Sequence, residues 1–187
     1  MASLGHVAVG MVAGRVWTSL GGKQHGRDGR SVALAPAMIA FSALSLAPDL
    51  DIIAFRFGIP YAAPFGHRGA AHSLCVAVAL ASIAAGATRV TREQVAGGPT
   101  PTSLWLLCAS VAVSHALLDT LTDGGLGVAL LWPVSNRRYF APWRPIPVAP
   151  IGARMLTGRG LRVVVTEALQ FAPLLLWSVW PRRSRAS

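Results

Sequence analysis

Histidine and aspartate side chains of this sequence have the types and the spacing that bind metal ions. His115 and Asp119 are four residues apart in an apolar segment, so on a helix they share one face, about 5–6 Å apart. Asp49 and Asp51 directly follow Pro48, and in an extended or turn backbone residues two apart point the same way. Each pair could therefore hold one ion or bridge two.

Three further histidines belong to the same set. His67 and His72 flank a short segment in which Gly69 lets the backbone bend or approach a ligand closely. Imidazole and carboxylate groups together suit zinc, and also manganese or iron. The set is larger than one tetrahedral ion needs, so the sequence predicts two or more divalent transition-metal ions, with zinc favoured. The predicted metal ligands are His6, Asp49, Asp51, His67, His72, His115 and Asp119.

Long apolar segments must position these residues. The mean hydropathy is +0.51 and 13% of the residues are charged, whereas a soluble domain carries about 25%. The deficit is typical of a chain surrounded by lipid, where charge is costly. About five segments approach the roughly 20 residues that cross a bilayer; they cover residues 4–20, 31–47, 71–90, 103–122 and 161–180. The sequence therefore predicts one all-α integral membrane domain over residues 1–187.

The connection between the fourth and fifth segments differs from the others. Residues 132–160 contain five prolines, which exclude a regular helix. Aromatic side chains such as Trp132, Tyr139 and Trp143 are typical of the lipid headgroup layer. This stretch is predicted to be a long interfacial loop rich in proline, aromatic residues and arginine.

Alternation of the loops places all seven predicted ligands on the membrane face that holds the N-terminus. Such a one-sided arrangement favours a shared site over seven unrelated polar contacts between helices. The basic residues of the loops divide evenly between the two faces, so the positive-inside rule gives no orientation. If the arginines on the site face serve a substrate, the remaining charges favour an extracytoplasmic site.

Metal ions with open positions lower the pKa of bound water and stabilise the oxygens of a phosphoryl displacement. The predicted reaction is hydrolysis of a phosphoester, or another ester, of a lipid or membrane-associated substrate. Asp51 and His72 are the predicted catalytic groups, and Ser73 and Thr122 are predicted to support the ligands by hydrogen bonds. Phosphate is predicted to be bound by Arg68, Arg137, Arg138 and Arg144.

The expected partners are membrane lipids and a lipid-like or phosphorylated substrate. The net charge of +10 does not predict nucleic-acid binding, because the arginines lie in short loops between apolar segments, where anionic headgroups fit better. The sequence leaves the oligomeric state open.

The combination of motifs resembles the YdjM-like family of bacterial inner-membrane proteins, which are described as membrane-bound metal-dependent hydrolases. The shared features are the early His6, Pro48-Asp49-Leu50-Asp51, His67-Arg68-Gly69 with His72-Ser73, His115 with Leu118-Asp119-Thr120, and the loop from Leu131-Trp132-Pro133 to Pro142-Trp143-Arg144-Pro145. The resemblance covers roughly residues 1–150. It implies a metal site, a hydrolytic reaction and a multi-pass location in the bacterial inner membrane, and it implies no particular substrate.

Two other functions fit the same residues. A transporter could use the histidines and aspartates for a divalent ion or for protons, which polar groups on broken helices at the midplane would favour. A structural or partner-binding membrane protein could use them as polar contacts between helices. Metal content and ion uptake separate these possibilities from a hydrolase.

Overall fold

A computed structural model describes residues 3–20, 34–92 and 100–181. In these residues the regular elements are helices, and the only β pairing consists of two isolated bridges. The α-helices are α1 (Ser3–Leu20), α2 (Leu34–Leu46), α3 (Leu74–Arg92), α4 (Pro101–Thr120) and α5 (Gly158–Val179). The predicted all-α class is confirmed. The predicted start of the second helix, residues 31–33, lies outside the described residues.

Glycine allows α1 and α2 to pack closely in antiparallel directions. A Cβ atom at Gly10 would lie 2.3 Å from the Cα of Ser42, and one at Gly14 would lie 2.5 Å from the backbone nitrogen of Met38. Small residues that let helix backbones approach are typical of membrane proteins. α4 packs against α1, α2 and α3, so it occupies the middle of the bundle.

Two ionisable side chains join α1 to α5, which run parallel. Glu167 accepts a hydrogen bond from the backbone nitrogen of Leu4 at 2.7 Å, and so satisfies a free N–H group at the start of α1. One turn before the end of α1, Arg15 donates to the carbonyl oxygens of Ser178 and Trp180 at 2.8 and 2.7 Å. Both groups are buried but paired, which makes them tolerable between helices in lipid.

The outer surface of the bundle fits a membrane. By length and composition, the segments Leu34–Phe57, Pro101–Thr120 and Gly158–Val179 can cross a bilayer, and Leu74–Thr88 is a shorter apolar helix. Large apolar side chains point outward on several helices, including Ile39, Ile83 and Leu169. The predicted number of about five spans therefore holds as an approximation.

The chain after α2 differs from the prediction. Instead of turning at Pro48, it continues as a 3₁₀ helix over Ala47–Phe57, because proline lacks only a donor that the first turn of a helix does not use. With three residues per turn, residues two apart in such a helix point roughly 120° apart. The prediction that Asp49 and Asp51 point the same way assumed an extended or turn backbone, which this segment does not form, although both carboxylates approach His72, at 3.4 and 3.0 Å.

The chain before α3 forms a tight loop and a short 3₁₀ helix, Ala70–His72. The long connection after α4 is irregular, as its prolines predict, apart from a 3₁₀ turn at Gly152–Leu156. Bridges between Thr122 and Ile146 and between Val128 and Tyr139 hold this connection together. These segments end at the same side of the bundle, so they can assemble one site.

Candidate metal centre

The structure brings the seven predicted ligands together at one end of the bundle. His6 lies near the start of α1, and its ring stacks on that of His115 from α4 with the ring centroids 3.9 Å apart. Its Nε2 lies 3.5 Å from Asp119, one turn further along α4. The loop before α3 adds His67 and His72, and the 3₁₀ helix after α2 adds the two aspartates. Elements distant in sequence thus converge as the alternation of loops predicts.

Four of these side chains form what we call the inner group, consisting of Asp49, His72, His115 and Asp119. Each offers one ligand atom, and these four atoms lie within 4.8 Å of one another. Nε2 of His72 is 3.4 Å from Asp49 and 3.5 Å from Asp119, and Nε2 of His115 is 3.7 Å from Asp49. All four side chains are buried. The inner group therefore surrounds a space of the size that one ion occupies.

At Nδ1, each histidine of the inner group meets an oxygen atom on the side away from the centre of the group, but only His115 makes a hydrogen bond there. Nδ1 of His115 donates a hydrogen bond to the carbonyl oxygen of Ser45 at 2.6 Å. Nδ1 of His72 lies 3.0 Å from a carboxylate oxygen of Asp51. Each ring therefore presents Nε2 to the inner group. A histidine held at one nitrogen by a carbonyl or carboxylate is the usual arrangement of a metal ligand.

The remaining contacts define an outer group of Asp51, His67 and His72, which could also hold a cation. Here both oxygens of Asp51 already accept hydrogen bonds: Nδ1 of His67 donates at 2.6 Å and the backbone nitrogen of Arg68 donates at 3.1 Å. His72 belongs to both groups, with a different nitrogen facing each. The outer group thus resembles a hydrogen-bonded support for the inner group.

The inner group has the chemistry that a divalent ion needs. In the described residues, neither oxygen of Asp49 makes a hydrogen bond, and Nε2 of His72 and of His115 makes none. Burying a carboxylate without such a partner is costly unless a cation compensates it. Two imidazole nitrogens and two carboxylates form a donor set typical of zinc, and acceptable to manganese or iron. The residues therefore fit a transition-metal ion.

The electrostatics of His72 show the same demand for positive charge. Burial lowers the pKa of this imidazole, but the surrounding carboxylates of Asp119, Asp49 and Asp51 outweigh burial and raise the pKa to about 10. Three carboxylates around one buried ring thus create a position where a cation is strongly stabilised.

Arg68 lies inside the cluster and is fully buried. Its Nε is 3.0 Å from Asp119, and its NH1 group donates to Thr122 at 2.8 Å and to the carbonyl of Gly124 at 2.9 Å. The NH2 group has no hydrogen-bond partner in the described residues. The backbone of Arg68 has a φ of 63°, in the left-handed region that is unfavourable for a residue with a side chain. Such local strain is concentrated at functional sites.

The other predicted phosphate-binding arginines lie outside the cluster. Arg137 and Arg144 are exposed and stack over Tyr139 and Phe140, at 5.5 and 4.9 Å from the ring centroids. Arg138 has a different position: its two NH groups donate to the carbonyls of Tyr61, Ala63 and His67 at 3.0–3.1 Å. These bonds fix the loop that carries His67, and phosphate binding by Arg138 stays a prediction.

The two predicted supporting residues also differ from each other. Thr122 donates to the carbonyl of Asp119 at 2.9 Å while it accepts from Arg68, so it links both to the loop. Ser73 instead accepts a hydrogen bond from the backbone nitrogen of Val76 at 3.2 Å. It caps the first turn of α3 and supports His72 only through the backbone.

Sequence reasoning missed the contact between His115 and Ser45. A backbone carbonyl supplies it, and every residue has one, so no sequence signal could have revealed it. A single acid in an apolar helix, such as Glu167, does signal a buried partner, and the structure shows that this partner is the backbone nitrogen of Leu4.

The fold and the cluster together define a class: a helical membrane protein with a buried His/Asp cluster that can bind a metal ion. The chain belongs to the YdjM family, since the family described as "YdjM inner membrane protein" matches residues 1–184. The predicted family is thereby confirmed. The chain is similar to "Inner membrane protein YbcI" of Escherichia coli (strain K12), with 37% identity over 154 residues, which cover 79% of this chain and 86% of that protein. No solved structure matches the chain.

Proposed function

We propose that this protein is a metal-dependent hydrolase of the inner membrane that cleaves a phosphoester, or another ester, of a lipid. The observation that carries the proposal is the inner group, in which four buried side chains bring one ligand atom each within 4.8 Å of one another, and in which Asp49 makes no hydrogen bond in the described residues. When bound, a divalent ion supplies Lewis-acid polarisation and an activated water at neutral pH. The family, whose members are named as inner-membrane proteins, agrees with the location.

We place one ion in the inner group, rather than the two or more that the number of ligands suggested. A second ion in the outer group would compete for Asp51, whose oxygens already accept hydrogen bonds from His67 and Arg68. It would also require His72 to bind ions through both nitrogens at once. Asp51 is better suited to orienting His72 and His67 than to accepting a proton from water.

His6 is the imidazole best placed to move a proton. Neither of its ring nitrogens makes a hydrogen bond in the described residues, and Nε2 lies 3.5 Å from Asp119. Its stacking on His115 places it beside the inner group. The NH2 group of Arg68, which also makes no hydrogen bond there, can donate to an oxygen of a phosphate that reaches the cluster.

Metal analysis of the full-length protein purified in detergent is the direct test. We expect one transition-metal ion per chain in the wild type and none in Asp49→Asn, since neither oxygen of Asp49 makes a hydrogen bond in the described residues and both are available to an ion. Arg56→Gln, an exposed change on the same face, serves as the control. A phosphate-release screen over phospholipids should then give activity that depends on added metal. Wild-type protein that binds no transition metal contradicts the proposal.

Transport of a divalent ion is the second candidate, and the nearly complete burial of the inner group favours it. A bare ion reaches such a cluster more easily than an ester does. Uptake of zinc or manganese into liposomes that is lost in Asp49→Asn, without any metal-dependent hydrolysis, would replace the hydrolase by a transporter.

A further inference from the structure

Two adjoining clefts lie between the loop after α4 and the start of α5. Asp123, Val148, Arg159 and Arg162 are among the residues that line the first cleft. Arg154 and Thr157 line the second, which shares Val148 and Arg159 with the first. We call the two together the arginine cleft. Three arginines around one opening make it strongly basic.

Hydrogen bonds fix the walls of the arginine cleft. The backbone nitrogen of Val148 donates to the carboxylate of Asp123 at 2.7 Å, and Gln170 of α5 donates to the carbonyl of Pro145 at 2.8 Å. The backbone of Asp123 also bonds to Ile146 at 2.9 Å. The cleft is therefore preformed, and its one lining carboxylate already has a partner.

The arginines of the cleft are available to a ligand. Arg154, Arg159 and Arg162 are exposed, and in the described part of the chain none of them lies within ion-pair distance of a carboxylate. The side chain of Thr157 does not cap α5, because its hydroxyl donates to the carbonyl of Arg154 at 2.7 Å. The free N–H groups of the first turn add to the positive potential of the arginines.

The position of the cleft indicates a ligand with an apolar part. It lies where the apolar segment Gly158–Val179 begins, and it is flanked by Leu156 and Leu161, which are 91% and 65% exposed. Basic groups beside exposed leucines at the end of a membrane-crossing helix match the boundary between lipid headgroups and acyl chains.

The walls of the cleft belong to segments that also carry or support residues of the His/Asp cluster. On one wall, Asp123 is four residues after Asp119 of the inner group. On the other wall, Val163 is one turn, about 6 Å, before Glu167, which bonds to the start of α1 that carries His6. The cleft and the His/Asp cluster are therefore connected through short stretches of backbone.

We propose that the arginine cleft binds the phosphate of an anionic lipid headgroup and holds this lipid next to the metal cluster. As a statement about the substrate, this inference rests on the proposed hydrolase. As a statement about binding, it depends only on Arg154, Arg159 and Arg162, none of which touches the inner group. One guanidinium group can donate two parallel hydrogen bonds to the oxygens of a phosphate, so arginine suits these positions better than lysine does.

The test is lipid binding to the full-length protein in detergent, measured by native mass spectrometry with short-chain phosphatidic acid, phosphatidylglycerol and phosphatidylcholine. We expect the two anionic lipids to bind more tightly than phosphatidylcholine. Arg159→Gln and Arg162→Gln should each weaken anionic-lipid binding about tenfold, as expected for a lost charge-assisted hydrogen bond. Arg56→Gln removes the same charge from the same face outside the cleft and should change binding less than about twofold.

Other outcomes would overturn the inference. Equal weakening by Arg56→Gln and Arg162→Gln would show that net charge alone attracts lipid. Inorganic phosphate or glycerol phosphate can be added at the same concentration as the lipid. If either displaces the lipid, the cleft binds a soluble phosphate and not a lipid headgroup. Asp49→Asn separates lipid binding from hydrolysis. This variant should bind lipid like the wild type, even if neither protein hydrolyses the lipid.

Discussion

Asp49 and Asp51 are two residues apart on one 3₁₀ helix, yet their hydrogen bonding differs. Both oxygens of Asp51 accept hydrogen bonds, whereas neither oxygen of Asp49 has a hydrogen-bond partner in the described residues. Both approach His72, but Asp51 faces Nδ1 and Asp49 faces Nε2. Both residues are aspartates, so the residue type does not separate a metal ligand from a supporting residue. The difference lies in the hydrogen bonds that each carboxylate has already formed.

Asp49→Asn should produce the largest effect. An amide is a poor ligand for a transition metal, so we expect metal affinity to fall by more than about 100-fold, beyond the usual cost of losing a supporting residue. Inductively coupled plasma mass spectrometry measures the metal, and circular dichroism should show unchanged helix content. Retention of a full equivalent of metal by this variant would place the ion elsewhere.

Asp51→Asn tests whether Asp51 is a supporting residue or a metal ligand. If Asp51 orients His72 without binding an ion, metal affinity should fall about 10–100-fold while the stoichiometry at saturation stays at one ion per chain. Isothermal titration of the metal-free protein gives both quantities. A wild-type stoichiometry of two that drops to one in this variant would instead make Asp51 the ligand of a second ion.

Gly69→Ala tests the backbone that holds the outer group. An added Cβ would lie 2.1 Å from the carbonyl oxygen of Pro64, so the loop must shift, at a cost of about 1–3 kcal/mol in the free energy of unfolding. Thermal unfolding in detergent measures this cost. Gly86→Ala is the matched control, because a Cβ there meets nothing within 4 Å. Equal stability of the two variants would show that the loop tolerates displacement.

Ser82→Ala should have the smallest effect, because Ser82 lies in α3 and contacts the first part of α4, whereas His115 and Asp119 lie near the end of α4. It removes the hydrogen bond from Nε1 of Trp105 to the Ser82 hydroxyl, which is 3.1 Å long and exposed. We expect a loss of at most about 1 kcal/mol in the free energy of unfolding and a full complement of metal. Loss of metal in Ser82→Ala would show that the cluster depends on the whole bundle.

Hydropathy predicted the helical class, and the alternation of loops predicted that seven polar side chains meet. Both predictions need only the type of each residue and its position relative to the apolar segments. They failed where local geometry decides. Pro48 stops an α-helix but continues as 3₁₀, so the relative directions of Asp49 and Asp51 could not be read from their spacing.

The role of Arg138 shows a second limit of the sequence. Its position in a basic aromatic loop indicated phosphate binding, yet backbone carbonyls of a loop about 70 residues earlier occupy its guanidinium. Arg159 lies at the end of the predicted interfacial loop and Arg162 at the start of the predicted fifth helix, so only the fold shows that they line one cleft. Contacts that depend on backbone atoms leave no trace in residue types.

The link between α1 and α5 has a consequence for biosynthesis. The ribosome makes α1 first and α5 last, but the N–H group of Leu4 receives its partner, Glu167, only from α5. The start of α1, which carries His6, therefore gains this contact only after α5 has been made. A nascent chain arrested before α5 lacks the contact, so the end of the bundle that holds the His/Asp cluster is assembled late.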